Sequence, residues 1–249
     1  MSPTSRWSGR VALVTGASSG IGAAVATELA ELGMHVVLAA RRPERLTELA
    51  ARLGAGATAA PVDLRDAEAV ARLFERIRAD HGGVDVLVNS AGLGRETPLI
   101  GGSAAAWREM LELNVLALCV CTSEAVSDMR RRGDDGHVIH LGSMAGHRVP
   151  QGSGMYSATK YAVRSLTEGL RQELRELQSN IRVSCISPGY VATEFHQGYF
   201  GSVERAQAAY SQFPVLQPTD IAKSVRYVLE APPHMQVHDL LLRPTRQPS

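Results

Sequence analysis

The chain has 249 residues, a length typical of one α/β domain, and its sequence does not require a second. Hydrophobic residues make up 45% and charged residues 20%, as in most globular proteins. The net charge of +1 gives no electrostatic case for binding nucleic acid. The basic run Arg130–Arg132 is followed by Asp134 and Asp135, so we interpret it as a solvated helix end.

Segments that would target or anchor the chain are not expected. No apolar stretch approaches the roughly 20 residues that a membrane span needs. The N-terminus lacks a basic segment followed by an apolar one, which predicts a soluble, cytoplasmic protein. Cys119, Cys121 and Cys185 lie in apolar contexts and are expected to be reduced core residues. No Cys/His cluster has metal-ligand spacing, so we expect no catalytic metal.

Short apolar runs alternate with helical patterns along the chain. The runs are Val11–Thr15, His35–Ala40, Ala57–Val62, Val84–Asn89, His137–Leu141, Ile181–Ile186 and Val237–Leu242. This alternation predicts a single Rossmann-type α/β domain over residues 1–249, with a doubly wound parallel seven-stranded sheet and helices on both faces. Ligands of such sheets bind beyond the carboxyl ends of the strands.

The first predicted strand leads into a glycine-rich turn and then a helical pattern. The turn is Thr15-Gly16-Ala17-Ser18-Ser19-Gly20-Ile21-Gly22, with the spacing G-x-x-x-G-x-G. Strand, turn and helix in this order are the context of a dinucleotide-binding fingerprint, because the helix N-terminus offers free N–H groups to a pyrophosphate. The turn therefore predicts dinucleotide binding; a structural loop is the alternative.

The end of the second predicted strand favours NADP(H) over NAD(H). NAD-binding proteins place an acidic residue here, which bonds the ribose hydroxyls. In this chain the position is Ala40, followed by Arg41 and Arg42. A guanidinium clamps a phosphate, whereas an acid repels it. We expect Arg41, joined by Arg42, to hold the 2′-phosphate, with Ser18 as a further donor. Two surface arginines opening the next helix are the alternative.

Tyr156 and Lys160 are four residues apart, and Ser143 lies thirteen residues upstream of Tyr156. On a helix, side chains at this spacing share one face. An ammonium beside a phenol favours the phenolate and lowers its pKa from about 10. The spacing therefore predicts that Tyr156 is a general acid or base. Taken alone, a Tyr-x-x-x-Lys spacing also fits a solvated helix face.

Together these residues resemble the short-chain dehydrogenase/reductase family in its compact form, and the resemblance covers the whole chain in order. It implies that Asp63-Leu64 touches the adenine. Asn89-Ser90-Ala91-Gly92 is similar to the family's Asn-Asn-Ala-Gly, with serine as the departure. Asn114 corresponds to the asparagine that completes a catalytic tetrad and holds a proton-relaying water. Ser187-Pro188-Gly189 and Thr193 correspond to the segment that flanks the nicotinamide.

The resemblance implies a role for each matching residue. Lys160 is expected to bond the nicotinamide ribose as well as to tune Tyr156. The expected catalytic residues are Asn114, Ser143, Tyr156 and Lys160. The expected cofactor-binding residues are Gly16, Ser18, Ser19, Gly20, Ile21, Gly22, Arg41, Arg42, Asp63, Leu64, Asn89, Ala91, Gly92, Tyr156, Lys160, Pro188, Gly189, Val191 and Thr193.

Further runs, among them Gly136–Ile139 and Leu166–Glu176, resemble an NADP-dependent subgroup of the family. That subgroup acts on keto and hydroxy groups of steroids and on reactive dicarbonyls, and an insect branch oxidises farnesol. The resemblance therefore implies an NADP(H)-dependent carbonyl reductase or alcohol dehydrogenase for a small, apolar substrate such as a steroid, terpenoid or dicarbonyl. It also implies a homodimer or homotetramer built partly on the Tyr156 helix and the last strand.

Residues 190–218 have the weakest periodicity, and we predict a long loop that covers the substrate. Half of the chain's Phe, Trp and Tyr residues lie there, six of twelve, together with His196. A loop packed onto the core is the alternative. The segments after Leu93 and around His147–Met155 are expected to complete the pocket.

Two other function classes remain open. One is a dinucleotide-binding sensor without turnover, against which the intact set of Ser143, Tyr156 and Lys160 argues. The other is an epimerase or dehydratase, which needs a sizeable C-terminal substrate domain, whereas about sixty residues follow Gly189. The sequence assigns no role to His140, His147 and His196.

Overall fold

The computed structural model describes residues 5–248. The predicted domain boundaries, residues 1 and 249, lie outside this range. Seven parallel strands form one sheet in the order β3-β2-β1-β4-β5-β6-β7. The strands are β1 Val11–Thr15, β2 His35–Ala40, β3 Ala57–Pro61, β4 Val86–Asn89, β5 His137–Leu141, β6 Arg182–Pro188 and β7 Asp239–Leu242. The predicted fold class is confirmed.

Helices connect the strands and cover both faces of the sheet. They are α1 Gly20–Glu31, α2 Pro43–Leu53, α3 Ala67–His81, α4 Ala104–Leu111, α5 Ala117–Arg131, α6 Gly154–Glu176, α7 Phe195–Phe200, α8 Val203–Ser211 and α9 Pro218–Glu230. A π-helical turn, Glu112–Leu116, joins α4 to α5. One core layer holds Leu29 of α1 and Val225 of α9; the other holds Phe74 of α3 and Met129 of α5.

Chain order positions the ligand crevice. The sheet grows from β1 through β2 to β3 on one side and from β4 to β7 on the other. The loops after β1 and β4 therefore leave the sheet in opposite directions, which opens a crevice at their carboxyl ends. The residues predicted to bind a ligand follow these strands.

Four strands differ from the sequence-based prediction by one or two residues at one or both ends, within the usual spread of such boundaries. β3 ends at Pro61, β6 runs over Arg182–Pro188, and β7 begins at Asp239. β4 begins at Val86 rather than at residue 84. Asp85, directly before it, donates its backbone N–H to Val11 O at 2.9 Å and accepts the N–H of Val11 with its carboxylate at 2.8 Å. A side chain thus replaces a backbone carbonyl at the start of the ladder.

The prediction of one long loop over residues 190–218 was wrong, since the segment contains α7 and α8. Ser202 starts α8, and its hydroxyl accepts the N–H of Arg205 at 3.1 Å. Small side chains, Ala206 and Ala209, form the buried side of α8. Because two short helices with small buried residues give little periodicity, the pattern did not indicate them.

The expectation that no stretch could span a membrane also needs correction. The continuous helical stretch Ala104–Arg131 is long and apolar enough by length and composition, because an 18-residue window within it has a mean hydropathy of 1.4. Core packing accounts for part of its apolar character: 39% of that window is buried inside the protein, including Cys121. The core helix of a globular protein commonly passes this criterion, so the finding is weak evidence for a membrane span.

Candidate active site

A cleft of about 570 Å³ opens at the carboxyl ends of the strands. Residues from every part of the predicted site line it. They include Gly16, Ser18, Ser19, Gly20, Ile21, Gly22, Arg41, Arg42, Asp63, Leu64, Ala91, Gly92, Ser143, Tyr156, Lys160, Pro188, Gly189, Val191 and Thr193. The fold thus brings together groups that lie up to 177 positions apart in the chain, from Gly16 to Thr193.

The glycine-rich turn forms one end of the cleft, and side chains would block it. A Cβ atom on Gly22 would lie 2.3 Å from the carbonyl oxygen of Gly16. Gly16 has a φ of +70°, and a Cβ atom there would lie 2.8 Å from the Cα of Ala91. Only glycine therefore permits the tight turn and the close packing of α1.

The N-terminus of α1 faces the cleft without a side-chain cap. Ser19 is the N-cap residue, yet its side chain accepts no hydrogen bond from the helix, and the first turn holds no acidic residue. The first N–H groups of α1 are therefore available to an anion, and the positive end of the helix dipole favours one. This cradle fits the pyrophosphate of a dinucleotide.

Arg42, rather than Arg41, is held in place beside the turn. Its Nε and Nη2 atoms donate to the hydroxyl of Ser18 at 3.1 and 2.9 Å, and Nη2 also donates to the hydroxyl of Ser19 at 2.7 Å. Arg41 lines the cleft but is exposed and makes no side-chain hydrogen bond or ion pair with another residue between 5 and 248. Both arginines therefore line the cleft, but other side chains of the protein hold only Arg42 in position among the described residues.

Asp63 follows β3 and lines the cleft beside Leu64. Its carboxylate accepts a hydrogen bond from Arg65 Nη2 at 2.6 Å. Hydrogen bonding to Arg65 holds the pKa of Asp63 below its usual value. The carboxylate is therefore charged at neutral pH, and Arg65 holds it in position at the predicted adenine end of the cleft.

The segment after β4 lines the cleft, but the side chain of Asn89, the last residue of β4, does not. Thr15 Oγ1 accepts the N–H groups of Ser90 and Ala91 at 3.0 and 3.1 Å, which fixes this segment against β1. The side chain of Asn89 is buried and donates to Thr122 Oγ1 at 3.0 Å. Asn89 does not line the cleft, so the structure does not place its side chain with the predicted cofactor-binding residues.

Ser143, Tyr156 and Lys160 meet at the base of the cleft. Ser143 follows β5, and its hydroxyl accepts the N–H of Ala145 at 3.0 Å. Tyr156 and Lys160 lie on α6, and Lys160 Nζ donates to the carbonyl oxygen of Leu141 at 2.8 Å. The turn after β5 and the first two turns of α6 therefore bring the three side chains to one place.

The expected lowering of the pKa of Tyr156 is not what the structure shows. Burial raises the pKa of Tyr156 to about 12, although a hydrogen bond with Ser143 acts in the opposite direction. Burial also lowers the pKa of Lys160 to about 8. The sequence-based argument considered only the neighbouring charge, whereas removal from water dominates for both groups. Tyr156 is therefore a protonated phenol at neutral pH.

Asn114 lies behind the cleft rather than in its lining. It is buried in the π-helical turn, and its amide group exchanges two hydrogen bonds with the backbone of Leu93, at 2.8 and 2.9 Å. It also donates to Thr159 Oγ1 at 3.1 Å. Asn114 thus ties the segment after β4 to the helix that carries Tyr156 and Lys160.

The predicted nicotinamide-flanking segment is joined by a residue that the sequence did not indicate. The side-chain oxygen of Gln247 accepts the N–H of Tyr190 at 3.0 Å, directly after Gly189, and Gln247 lines the cleft. Arg148 lines the cleft too and donates to the carbonyl oxygen of Pro248 at 3.1 Å. No sequence motif marks Gln247, because only folding brings the C-terminal segment to this position.

Aromatic side chains of α7 form the wall opposite the sheet. The ring centres of Phe195 and Tyr199 lie 5.3 and 6.0 Å from that of Tyr156. Hydrogen bonds and an ion pair join this wall to the segment after β4: Glu96 N donates to the carbonyl oxygen of Tyr199 at 2.9 Å, and Arg205 pairs with Glu96 at 2.8 Å. The cleft is therefore apolar around Tyr156 and charged at its rim.

His140 is buried directly before Leu141. Its Nδ1 and Nε2 atoms lie 2.9 and 3.2 Å from the hydroxyls of Thr167 and Thr122, and burial lowers its pKa to about 3. Because Thr167 donates its own proton to Val163 O at 2.6 Å, we assign the His140 proton to Nδ1. The neutral ring thereby joins α5 to α6.

Of the other two histidines to which the sequence assigned no role, His196 lines the cleft and His147 does not. His196 Nδ1 lies 2.8 Å from the hydroxyl of Tyr210, and burial lowers its pKa to about 4. His147 Nε2 lies 3.4 Å from the carboxylate of Asp239. Among residues 5–248, no group of three or more His, Cys, Asp or Glu side chains is arranged to hold a metal ion.

Comparison with known proteins identifies the family. The family model described as short chain dehydrogenase matches residues 10–202. The chain belongs to the short-chain dehydrogenase family. Members of this family are oxidoreductases, and the resemblance inferred from the motifs is therefore confirmed.

Individual short-chain dehydrogenases are similar over nearly the whole chain. Dehydrogenase/reductase SDR family member 11 of Bos taurus is 50% identical, with 97% of this chain and 98% of the relative aligned. Farnesol dehydrogenase of Aedes aegypti is 44% identical, covering 96% and 97%. The closed form of serine dehydrogenase complexed with NADP+ superimposes with a TM-score of 0.92 at 32% identity, covering 96% of each chain.

Proposed function

We propose that this short-chain dehydrogenase is an NADP(H)-dependent oxidoreductase that interconverts a ketone or aldehyde and the corresponding alcohol. The observation that carries the proposal is the meeting of Ser143, Tyr156 and Lys160 in the cleft that begins at the glycine-rich turn. The cofactor is NADP(H), because β2 ends without an acid, Arg42 stands beside the turn, and the similar serine dehydrogenase is complexed with NADP+.

The residues at the base of the cleft supply the proton chemistry. The glycine-rich turn and the N-terminus of α1 would hold NADP(H), which would supply or take up the hydride at its nicotinamide ring. Tyr156 donates its phenolic proton to the carbonyl oxygen of the substrate, and in the oxidative direction its phenolate accepts that proton. Ser143 donates a hydrogen bond to the same oxygen. Lys160, anchored on Leu141, stabilises negative charge on the phenolate.

Asn114 supports this arrangement from behind. Its hydrogen bonds to Leu93 and Thr159 orient the start of α6 and the loop after β4 at the same time. We propose that it also holds the proton-relaying water that the family resemblance implies. Positioning of this kind contributes to catalysis because the reacting groups are held face to face.

The substrate we propose is apolar, of the steroid, terpenoid or dicarbonyl class. The α7–α8 segment supplies Phe195 and Tyr199 next to Tyr156, and we propose that this segment covers the substrate. Exclusion of water there strengthens the hydrogen bonds to the reacting oxygen. The similarity to a farnesol dehydrogenase supports a terpenoid alcohol as one candidate.

We further propose a cytoplasmic homodimer or homotetramer. Helix α6 exposes Tyr161, its C-cap residue Leu177 is also exposed, and the edge strand β7 exposes Leu241. Exposed apolar side chains on a helix and an edge strand favour burial against a second copy. Cys119, Cys121 and Cys185 are free, which fits a reducing compartment.

The test of the proposed function is consumption of NADPH and NADH by the purified protein with steroid ketones, terpenoid and aryl aldehydes, and α-dicarbonyls. We expect turnover with NADPH and little with NADH. Tight NADPH binding without turnover of any carbonyl compound would favour a sensor that binds the dinucleotide. Equal turnover with both dinucleotides would contradict the proposed role of the arginines after β2.

A further inference from the structure

Glu194, which the sequence did not single out, is the N-cap residue of α7 and lies at the rim of the cleft. Its Oε2 atom accepts from Arg42 Nη1 at 2.9 Å, and its Oε1 atom accepts from Arg45 Nη1 at 2.6 Å. These hydrogen bonds hold the pKa of Glu194 below its usual value, so the carboxylate is charged at neutral pH. An anion of the protein therefore already pairs with Arg42, which lies beside the glycine-rich turn, and with Arg45 of α2.

The donors of Arg42 are divided between the turn and Glu194. Nε and Nη2 donate to Ser18 and Ser19, whereas Nη1 donates to Glu194. A phosphate approaching this guanidinium meets the carboxylate at the same group of donors. Because a phosphate dianion and a carboxylate repel at short distance, the two compete for Arg42 and Arg45.

We propose that Glu194 is a specificity-determining residue for the cofactor, an internal competitor that the 2′-phosphate of NADP(H) displaces from Arg42 and Arg45. This inference rests on the proposed cofactor. NAD(H) carries no 2′-phosphate and leaves the carboxylate paired. Arg45 joins Arg42 as a phosphate-binding residue, an assignment that the sequence did not indicate.

Displacement of Glu194 would also affect the aromatic wall that α7 forms opposite Tyr156. Glu194 directly precedes Phe195, whose ring lies 5.3 Å from that of Tyr156. The other end of α7 keeps its separate tie to Glu96 through the Tyr199 carbonyl, at 2.9 Å. Release of Glu194 therefore loosens the start of α7, which keeps the hydrogen bond from Tyr210 to the carbonyl oxygen of Thr193 at 3.0 Å, while the far end stays attached to Glu96. This loosening couples the cofactor phosphate to the aromatic wall.

Binding of 2′,5′-ADP and of 5′-AMP tests the competition, since neither carries a nicotinamide and they differ in the 2′-phosphate. Affinities are measured by titration calorimetry for the wild type, Glu194→Gln and the control Glu204→Gln. Glu204 is an exposed carboxylate of α8 whose side chain accepts from Ser202 at 2.8 Å. We expect Glu194→Gln to tighten 2′,5′-ADP binding about three- to tenfold, as for the loss of two exposed ion pairs, and to leave 5′-AMP unchanged. Glu204→Gln should change neither.

Hydrogen exchange of residues 195–200 tests the coupling. We expect 2′,5′-ADP to raise exchange there in the wild type, whereas Glu194→Gln shows raised exchange without ligand and no further rise with it. If 2′,5′-ADP binds the wild type no more tightly than 5′-AMP, the proposed cofactor itself is wrong. If the wild type prefers 2′,5′-ADP but Glu194→Gln binds it equally or more weakly, the cofactor stands and the competition is wrong.

Discussion

The Nζ atom of Lys160 lies 5.9 Å from the centre of the Tyr156 ring. The ammonium donates its hydrogen bond to Leu141 at the end of β5, and not to the phenol. Lys160 is thus anchored to the sheet, with its charge near enough to stabilise a phenolate once one forms. This relationship determines how the two directions of the reaction depend on pH.

The two directions should respond differently to pH. With the pKa of Tyr156 at about 12, the phenol is protonated from pH 6 to 9, so carbonyl reduction should vary little on account of this group. Alcohol oxidation needs the phenolate, so its kcat/KM should rise about tenfold per pH unit below that pKa. The rise should weaken above pH 8, where Lys160 loses its proton. Initial rates in both directions from pH 6 to 10 measure this; an oxidation rate that stays constant from pH 6 to 8 would contradict it.

Removal of the Tyr156 hydroxyl should abolish turnover without loss of the fold. We expect Tyr156→Phe to lower kcat about a thousandfold, as is typical when a general acid is removed, while NADPH binding persists. The matched control is Tyr161→Phe, which alters an exposed tyrosine of the same helix and should leave kcat unchanged. Steady-state rates and NADPH fluorescence titration provide the two measurements. Substantial activity in Tyr156→Phe would contradict the assignment of Tyr156 as the general acid.

The two arginines after β2 should contribute unequally to cofactor choice. Arg42 is positioned by Ser18 and Ser19, whereas Arg41 is exposed without a partner among residues 5–248. We expect Arg42→Ala to weaken NADPH binding tenfold or more, as for a lost charge-assisted hydrogen bond, and to leave NADH binding nearly unchanged. Arg41→Ala should have a smaller effect in the same titration. A larger loss in Arg41→Ala would return the main role to Arg41.

Two glycines in helices should respond in opposite ways to alanine. At Gly22 the new Cβ atom would lie 2.3 Å from the backbone oxygen of Gly16, so we expect Gly22→Ala to lower the free energy of unfolding by about 1–3 kcal/mol and to weaken NADPH binding. At Gly169 nothing lies within 4 Å of the added atom. Gly169→Ala should raise the free energy of unfolding by about 0.5–1 kcal/mol. Urea unfolding of both variants measures the two changes in the free energy of unfolding. Equal changes in the two variants would show that the glycine-rich turn has room for a side chain.

Acid should destabilise the protein through its buried histidines. The folded-state pKa of His140 is about 3 against 6.5 for the free side chain, so its stabilising contribution is complete above pH 6.5 and is lost as the pH falls toward 3. The loss is up to about 1.4 kcal/mol per pH unit. Between pH 6.5 and 4.5, we expect His140→Asn to reduce the pH dependence of the free energy of unfolding by the equivalent of up to one bound proton. Urea unfolding at each pH measures the slope, with the exposed His234→Asn as control. An unchanged slope in His140→Asn would show that this ring does not resist protonation.

The parts of the site that follow from local sequence were predicted well. The apolar run before Gly16 and the glycines themselves indicate a strand and a phosphate turn, because backbone conformation at a tight turn depends on the residue in it. The spacing of Tyr156 and Lys160 indicates a shared helix face for the same reason. The order of these motifs was enough to predict the fold and the family.

Other features depended on distances across the fold. The pKa of Tyr156 is governed by burial under α7, and α7 and α8 themselves gave too little periodicity to be predicted. Asn89 was expected in the cleft, yet its side chain bonds Thr122 in the core. A motif assigns a residue to the end of a strand, but its neighbours decide which way the side chain points.

The sequence by itself determined the class of fold, the family and the residues at the base of the cleft, because each depends on a short run of residues and on chain order. Only the tertiary structure decided which arginine is held beside the glycine-rich turn, that Glu194 pairs with it, and that Gln247 lines the cleft. Glu194 and Arg42 are 152 positions apart. Local periodicity carries no information about such pairs, since their contact arises only when the sheet and its helices have packed.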